Sequence, residues 1–240
     1  YVSLGKPDEA LAVIREKIPF PSVCGLVCIH PCEGRCRRGR LDEPIAIRML
    51  KRYAFENGNG LWKKNLKTTA STGKKVGIVG AGPAGLTAAY YLAKQGHAVT
   101  VFESLPEAGG MTLVAIPSYR LPKDILAAEI DEIKALGVEI KCNTKIDSLD
   151  QLKNDGYDAT FLAIGAQEAM TLGVEGDDSP RVITCLDFLQ DVNLDREVKL
   201  GDRVAVIGGG NAAIDSARTS LRLGVKEVHM FYRRTRAEMP

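Results

Sequence analysis

Two hundred and forty residues is long for a single compact core and natural for two. With 32 basic against 30 acidic residues the net charge of +2 gives no sign of a polyanionic partner, and 45% hydrophobic with 26% charged residues excludes a disordered tail or a fibre. Glycine is over-used, at 24 residues against the ~7% of average proteins, and several of these sit in tight loops.

The first 75 residues hold 15 Lys and Arg against 7 Asp and Glu, a local net charge of +8. A short helix is predicted over Asp8–Lys17, ending before Pro19. A second begins at Pro44, carries Ile45, Ile47, Met49, Leu50, Tyr53 and Ala54, and stops at the glycines of 57–60. Between them stand four equally spaced cysteines, Cys24, Cys28, Cys32 and Cys36, while Cys142 and Cys185 are isolated. A secreted disulfide scaffold would be shorter and would spread its cysteines along the chain. A tight cluster without a signal-peptide pattern points instead to metal or redox work in a reducing, cytoplasmic compartment. Lys67 to Lys75 reads as a linker.

From Val76 the pattern changes. A buried strand (Val76–Val79) enters Gly80-Ala81-Gly82-Pro83-Ala84-Gly85, a helix runs to about Gln95 and is closed by Gly96, and a strand follows over Ala98–Phe102, ending at Glu103. A helix over Lys123–Leu136 and strands over Val138–Cys142 and Tyr157–Ile164 complete this part. The pattern then repeats: strand Arg203–Ile207, loop 208–213 (Gly-Gly-Gly-Asn-Ala-Ala), a helix to about Leu223 capped by Gly224, and strand Glu227–Tyr232 leading into Arg233, Arg234 and Arg236. The uncharged run Val76–Ala93 has membrane length, but Gly77, Gly80, Gly82, Pro83 and Gly85 would break a spanning helix, so no membrane segment is expected.

In a strand–Gly-x-Gly-x-x-Gly–helix unit the first glycine allows the turn, the second admits pyrophosphate to the backbone and the third lets helix and strand pack. The helix N-terminus offers free N–H groups and its positive dipole end to the phosphates. Gly80, Gly82 and Gly85 fit in full; Gly208 and Gly210 fit with Ala213 in third place. Two such units mean two nucleotide sites, and the residues after each second strand separate them. Glu103, 23 positions after Gly80, suits the ribose hydroxyls of FAD or NAD and repels a 2′-phosphate. Arg233, 25 positions after Gly208, has Arg234 and Arg236 beside it and no acid in that place, which favours NADPH. Gly109-Gly110 and the apolar strand ending at Gly165 suit a bulky cofactor and a domain crossover, and favour FAD at the first site.

The runs 19–28 (PFPSVCGLVC) and 30–39 (HPCEGRCRRG) resemble the iron–sulfur region of the small (beta) subunit of NADPH-dependent glutamate synthase, as do the first glycine loop, Ala108–Met111, Tyr119–Pro122 and the ending at Pro240. Related flavoprotein parts occur in dihydropyrimidine dehydrogenase and in NADH-dependent ferredoxin:NADP oxidoreductase. The resemblance covers essentially the whole chain. It implies an α/β fold: a helical iron–sulfur-type region and linker (1–75), a Rossmann-like FAD domain (76–200) and the start of an incomplete Rossmann-like NADPH domain (201–240). It implies FAD on Gly80, Ala81, Gly82, Pro83, Ala84, Gly85, Glu103, Gly110, Met111 and Arg120, with Gly165 at the crossover. It implies NADPH on Gly209, Gly210, Asn211, Ala212, Arg233, Arg234 and Arg236, and [4Fe–4S] ligation by Cys28, Cys32 and Cys36, whereas Cys24 occupies a position that need not ligate. The family's upstream cysteine motif is absent here, so cluster ligation is expected to be incomplete, and the chain is expected to be a piece of a longer polypeptide.

Hydride transfer from NADPH to FAD needs no acid–base residue, and none is nominated. Cys142 and Cys185 do not form the Cys-x-x-Cys pair of a disulfide reductase, which leaves the clustered thiolates as the exit for electrons toward a large catalytic subunit or another electron acceptor. Two rivals stand beside this reading. In one, the cysteines with Arg35, Arg37, Arg38 and Arg40 build a zinc module facing nucleic acid; in the other, the chain is a silent docking domain. The electron-input reading expects no nucleic-acid partner.

Overall fold

The computed structural model describes residues 1–60, 63 and 68–239. Two ends of the sequence reading, the linker start at Lys67 and the closing Pro240, lie outside the described residues. The chain forms two compact units. One comprises Tyr1–Gly109 with Arg120–Ala163; the other comprises Gly110–Tyr119 with the chain from Ile164 onward.

The first unit opens with four helices, α1 (Pro7–Arg15), α2 (Pro21–Val27), α3 (Pro31–Gly34) and α4 (Ile47–Asn57). Proline stands at the first position of α1, α2 and α3, where its missing N–H costs nothing. α4 starts at Ile47 rather than at Pro44. Its N-cap, Ala46, has no side-chain acceptor, and the Glu33 carboxylate supplies one from α3, accepting the Arg48 N–H at 2.7 Å. Ala10, Leu11 and Ala54 form a small core between α1 and α4.

β1 (Lys75–Val79) leads into α5 (Pro83–Lys94), and β2 (Ala98–Phe102) follows it. After α6 (Met111–Val114), which belongs to the other unit, come α7 (Lys123–Lys134), β3 (Glu139–Lys141), α8 (Leu149–Asn154) and β4 (Ala159–Leu162). The four strands form one parallel sheet in the order β3-β2-β1-β4, with Val79 opposite Phe102 on one side and Leu162 on the other. The near-continuous apolar runs of β1 and β2 are those of strands covered on both faces; Ile78, Val101, Leu86 and Ile133 are almost completely buried. β4 is an outer strand with Phe161 and Leu162 exposed. The uncharged run 76–93 is thus divided among a strand, a loop and a helix, and among the described residues no helix is long and apolar enough to cross a membrane.

The second unit pairs β5 (Arg203–Ile207) with β6 (Glu227–Phe231) in parallel, and α10 (Asn211–Arg222) covers one face through Val206, Ala213 and Ala217. α9 (Cys185–Asn193) starts at Thr184, whose side chain accepts the Asp187 N–H. The segment 110–119 is bound into this unit: Asn193 Nδ2 donates to the Val114 carbonyl at 2.9 Å, and the Tyr119 ring lies 4.2 Å from the Arg222 and 4.7 Å from the Arg218 guanidinium.

Candidate functional site: two glycine loops and a cysteine segment

Both glycine loops are closed by the same bond. The Gly80 N–H donates to the Phe102 carbonyl at 2.8 Å and the Gly208 N–H to the Phe231 carbonyl at 2.9 Å, so each loop is tied to the end of its neighbouring strand. Gly80 and Gly208 turn at φ +106° and +133°, a region that L side chains rarely enter. Gly82 and Gly210 then begin α5 and α10 in extended conformation with no side-chain cap. The first-turn N–H groups and the positive helix ends are left for an anion.

Added methyl groups show what each glycine is for. At Gly85 a Cβ would stand 2.0 Å from the Gly80 carbonyl oxygen, so helix and strand pack too closely for any side chain. At Gly210 it would meet nothing within 4 Å, so the loop is open at the place of the fingerprint's second glycine. At Gly209 it would strike the Tyr232 ring at 2.6 Å, a constraint the sequence does not show. Asn211 and Ala212 are exposed at the start of α10, as Pro83 and Ala84 are at the start of α5, whereas Ala81 is buried.

The residues after the second strands differ as their chemistry requires. Glu103 is only 7% exposed. Its Oε2 accepts the Ala81 N–H at 2.8 Å, and its Oε1 accepts the Leu105 N–H at 2.9 Å and the Ser104 hydroxyl at 3.2 Å. These donors lock the carboxylate beside the loop and leave acceptor capacity for a hydroxyl. Arg233, Arg234 and Arg236 are exposed and have no ion-pair partner among the described residues. Glu238, the acid nearest in sequence, is engaged instead by Thr235, accepting its N–H at 2.8 Å and its hydroxyl at 3.2 Å. That capping box could have been read from Thr-x-x-Glu at 235–238.

The residues expected to hold FAD fall in different units, and each is described within its own. Gly80–Gly85, Glu103 and Arg120 belong to the first. Gly110, which caps α6 at φ +53°, Met111, which opens that helix, and Gly165, at φ +72°, belong to the second. Gly109 N–H donates to the Ala81 carbonyl at 2.9 Å and so brings the Gly109 turn against the first loop.

All six cysteines are free thiols. Cys24 lies within α2 and Cys28 caps its C-terminus; Cys32 lies on α3 and Cys36 at the turn after it. The His30 N–H donates to Cys28 Sγ at 3.3 Å. Backbone N–H groups of Ile45, Arg38 and Gly39 converge on Cys36 and hold its thiol below the ordinary cysteine range, while burial pushes the Cys24 thiol up. Among the described residues no three His, Cys, Asp or Glu side chains gather around a point where one metal ion would bind. A 4Fe–4S cubane takes one thiolate per iron, and hydrogen bonds to its sulfurs tune it; the segment supplies thiols and, at Cys28, a backbone N–H on sulfur. In donor chemistry Cys28, Cys32 and Cys36 fit such a cluster.

A family profile described as pyridine nucleotide-disulphide oxidoreductase matches residues 74–240. The chain belongs to that family. A second profile, dihydropyrimidine dehydrogenase domain II, 4Fe-4S cluster, matches residues 1–60. Together they assign FAD, a nicotinamide nucleotide and a 4Fe–4S cluster as the cofactors. The chain is 51% identical to the beta subunit of the NADP(+)-dependent formate dehydrogenase of Moorella thermoacetica, over 98% of this chain and 37% of that one. It is 45% identical to the NADPH-Fe(3+) oxidoreductase beta subunit of Geobacter sulfurreducens (97% and 36%) and 36% identical to the glutamate synthase [NADPH] small chain of Escherichia coli (98% and 53%). It thus spans from about a third to about half of these relatives. Among solved structures, FprA of Mycobacterium tuberculosis in complex with NADPH matches 60% of this chain and 36% of its own at 26% identity and a TM-score of 0.53. A 2-naphthoyl-CoA reductase matches 75% of this chain and 26% of its own at 30% and 0.57. The fold is the α/β, Rossmann-like architecture with an iron–sulfur-type N-terminal region.

Proposed function

We propose that this chain is an electron-input module of a multi-subunit oxidoreductase, one that receives NADPH at the second glycine loop, holds FAD at the first and passes electrons through its cysteine segment to a partner subunit. Bound FAD supplies the hydride-to-electron conversion, and the protein supplies placement. The first loop and the N-terminus of α5 would hold the FAD pyrophosphate, with Glu103 on the adenosine ribose. Gly110, Met111, Arg120 and Gly165 are proposed as the rest of the flavin site.

The observation that carries the reading is the contrast between a buried, donor-held Glu103 after β2 and three exposed arginines after β6. A carboxylate there rejects a 2′-phosphate and a guanidinium group recruits one. The Gly210 turn would take the NADPH pyrophosphate, with Gly209, Asn211 and Ala212 around it. In the full-length protein, replacing Arg233 and Arg234 by Ala should raise the KM for NADPH by about tenfold or more in dye reduction and leave that for NADH nearly unchanged. An equal effect on both nucleotides refutes the assignment.

The partner is a matter of substrate. The resemblance to glutamate synthase suggests a large subunit of that type. The 51% identity to a formate dehydrogenase beta subunit favours a formate-oxidising partner, with the same module run toward NADP+. We place the complex in the cytoplasm, where the thiols stay reduced. Purification of the full-length protein with its partner, followed by assays of formate-dependent NADP+ reduction and glutamine-dependent NADPH oxidation, separates the two.

A further inference from the structure

Glu129 has no part in the hydride chemistry proposed above, yet it is the most completely buried carboxylate among the described residues, at 2% exposure. It stands on α7 of the flavin fold and points into the cysteine region. Its Oε1 accepts the Ser22 N–H at 2.8 Å and its Oε2 the Val23 N–H at 3.2 Å, across 107 and 106 residues of sequence. Those two N–H groups belong to the first turn of α2, whose own N-cap residue, Phe20, offers no side-chain acceptor. A helix start buried without such acceptors would be strongly disfavoured, so α2 takes its cap from a distant part of the chain.

Other contacts seat the same join. Arg15, at the end of α1, donates to Glu129 at 3.5 Å and forms an ion pair with Glu132 at 2.6 Å, and both Glu residues stand on α7. The Tyr90 and Tyr91 hydroxyls of α5 donate to the Arg15 and Glu16 carbonyls at 3.4 and 3.3 Å. On its opposite side α2 is pressed against α4: a Cβ at Gly25 would lie 3.1 Å from the Arg52 Cα, so the two backbones touch. α5 therefore presents its N-terminus to the flavin phosphates and its last turns to the cysteine region.

Apolar packing would join these parts at no desolvation cost, whereas a buried charged pair is weak as a source of stability and fixes one geometry. Two carboxylate oxygens on two successive N–H groups set both the height and the rotation of α2. That helix carries Cys24 and ends at Cys28. We infer that Glu129 is a positioning residue: it fixes the cysteine helix on the flavin fold and thereby sets the geometry of electron exit from the flavin. The inference rests on the electron-input reading and extends it to a residue outside both nucleotide sites.

The test uses the full-length holoprotein with Glu129→Gln, which keeps the volume and one acceptor oxygen, and Glu129→Ala. The expected result is unchanged FAD content and unchanged NADPH reduction of the flavin by stopped flow, with cluster reduction slowed about tenfold or more in Glu129→Ala and less in Glu129→Gln. Amide exchange of the first turn of α2 should rise in the same order. Wild-type rates of cluster reduction with unchanged α2 exchange would overturn the inference. So would parallel loss of FAD and of cluster in Glu129→Gln, which marks a merely structural residue. If the wild-type protein fails to reduce its flavin with NADPH, the electron-input reading falls, and α2 exchange still decides whether Glu129 holds that helix.

Discussion

Gly210→Ala separates cofactor access from folding. Gly210 has φ −86° and ψ 177°, an extended conformation open to alanine. A methyl group there touches nothing within 4 Å. Alanine is a poorer N-cap than glycine, by about 0.5–1 kcal/mol, but it narrows the unfolded ensemble by about 0.4–1 kcal/mol. The two nearly cancel, so Tm should stay within a few degrees. Binding has no such offset. The methyl stands where the second glycine of the fingerprint lets pyrophosphate meet the helix N-terminus. Losing one charge-assisted bond of about 1.5–3 kcal/mol raises Kd by roughly tenfold to a hundredfold. Dye reduction by the full-length flavoprotein should show this as a raised KM for NADPH, with FAD content and reduction of the flavin by dithionite unaltered. A KM within twofold of wild type at unchanged Tm would refute the placement of the nucleotide at this loop.

Gly85→Ala should behave in the opposite way: a Cβ 2.0 Å from the Gly80 oxygen forces α5 away from β1, and overpacking of about 1–3 kcal/mol should lower Tm and FAD retention together, read by flavin absorbance after gel filtration. Gly209→Ala meets the Tyr232 ring at 2.6 Å, so it should lower stability of the second unit, and the double change with Tyr232→Ala should recover most of the loss. Cys36, whose thiol is held low by backbone N–H groups, should alkylate in cluster-free protein at a lower pH than Cys24 or Cys142, whose thiols burial pushes up; mass spectrometry of iodoacetamide-treated protein across pH 6–9 checks the order, since alkylation follows the thiolate fraction.

Much of this was legible because the relevant signals are local. β2 and β5 fall where alternation and apolar runs put them, and the glycine loops are recognisable because each glycine answers a backbone need within six residues. The short helices α2, α3 and α6 were not anticipated. Too short to show an amphipathic period, they are held by partners far along the chain, as α2 is by Glu129. α8 and α9 did leave a trace, in the Ser148 and Thr184 caps that accept the Asp150 and Asp187 N–H groups. α4 starts three residues after Pro44, the first helical position the sequence offers, because the acceptor that decides its start, Glu33, lies on another helix.

On the proposed assignment, little sequence separates the flavin loop from the nicotinamide loop. Strand, turn, uncapped helix and the bond from the first glycine to the neighbouring strand recur in both units. The backbone therefore has the same form twice, and on the proposed reading it carries no preference between nucleotides. Preference resides in the few residues beyond each second strand. Glu103 is buried and held by three protein donors, so its charge is fixed in place before any ligand arrives. The arginines after β6 are exposed, and the acid beside them is occupied by Thr235, so their charge is available to a ligand that brings its own phosphate. Exchanging the two sets would have to move that donor network as well as the side chains. Glu103→Arg alone should accordingly lose FAD rather than convert the first site to NADPH, because a guanidinium group cannot accept the Ala81 and Leu105 N–H bonds that hold the loop.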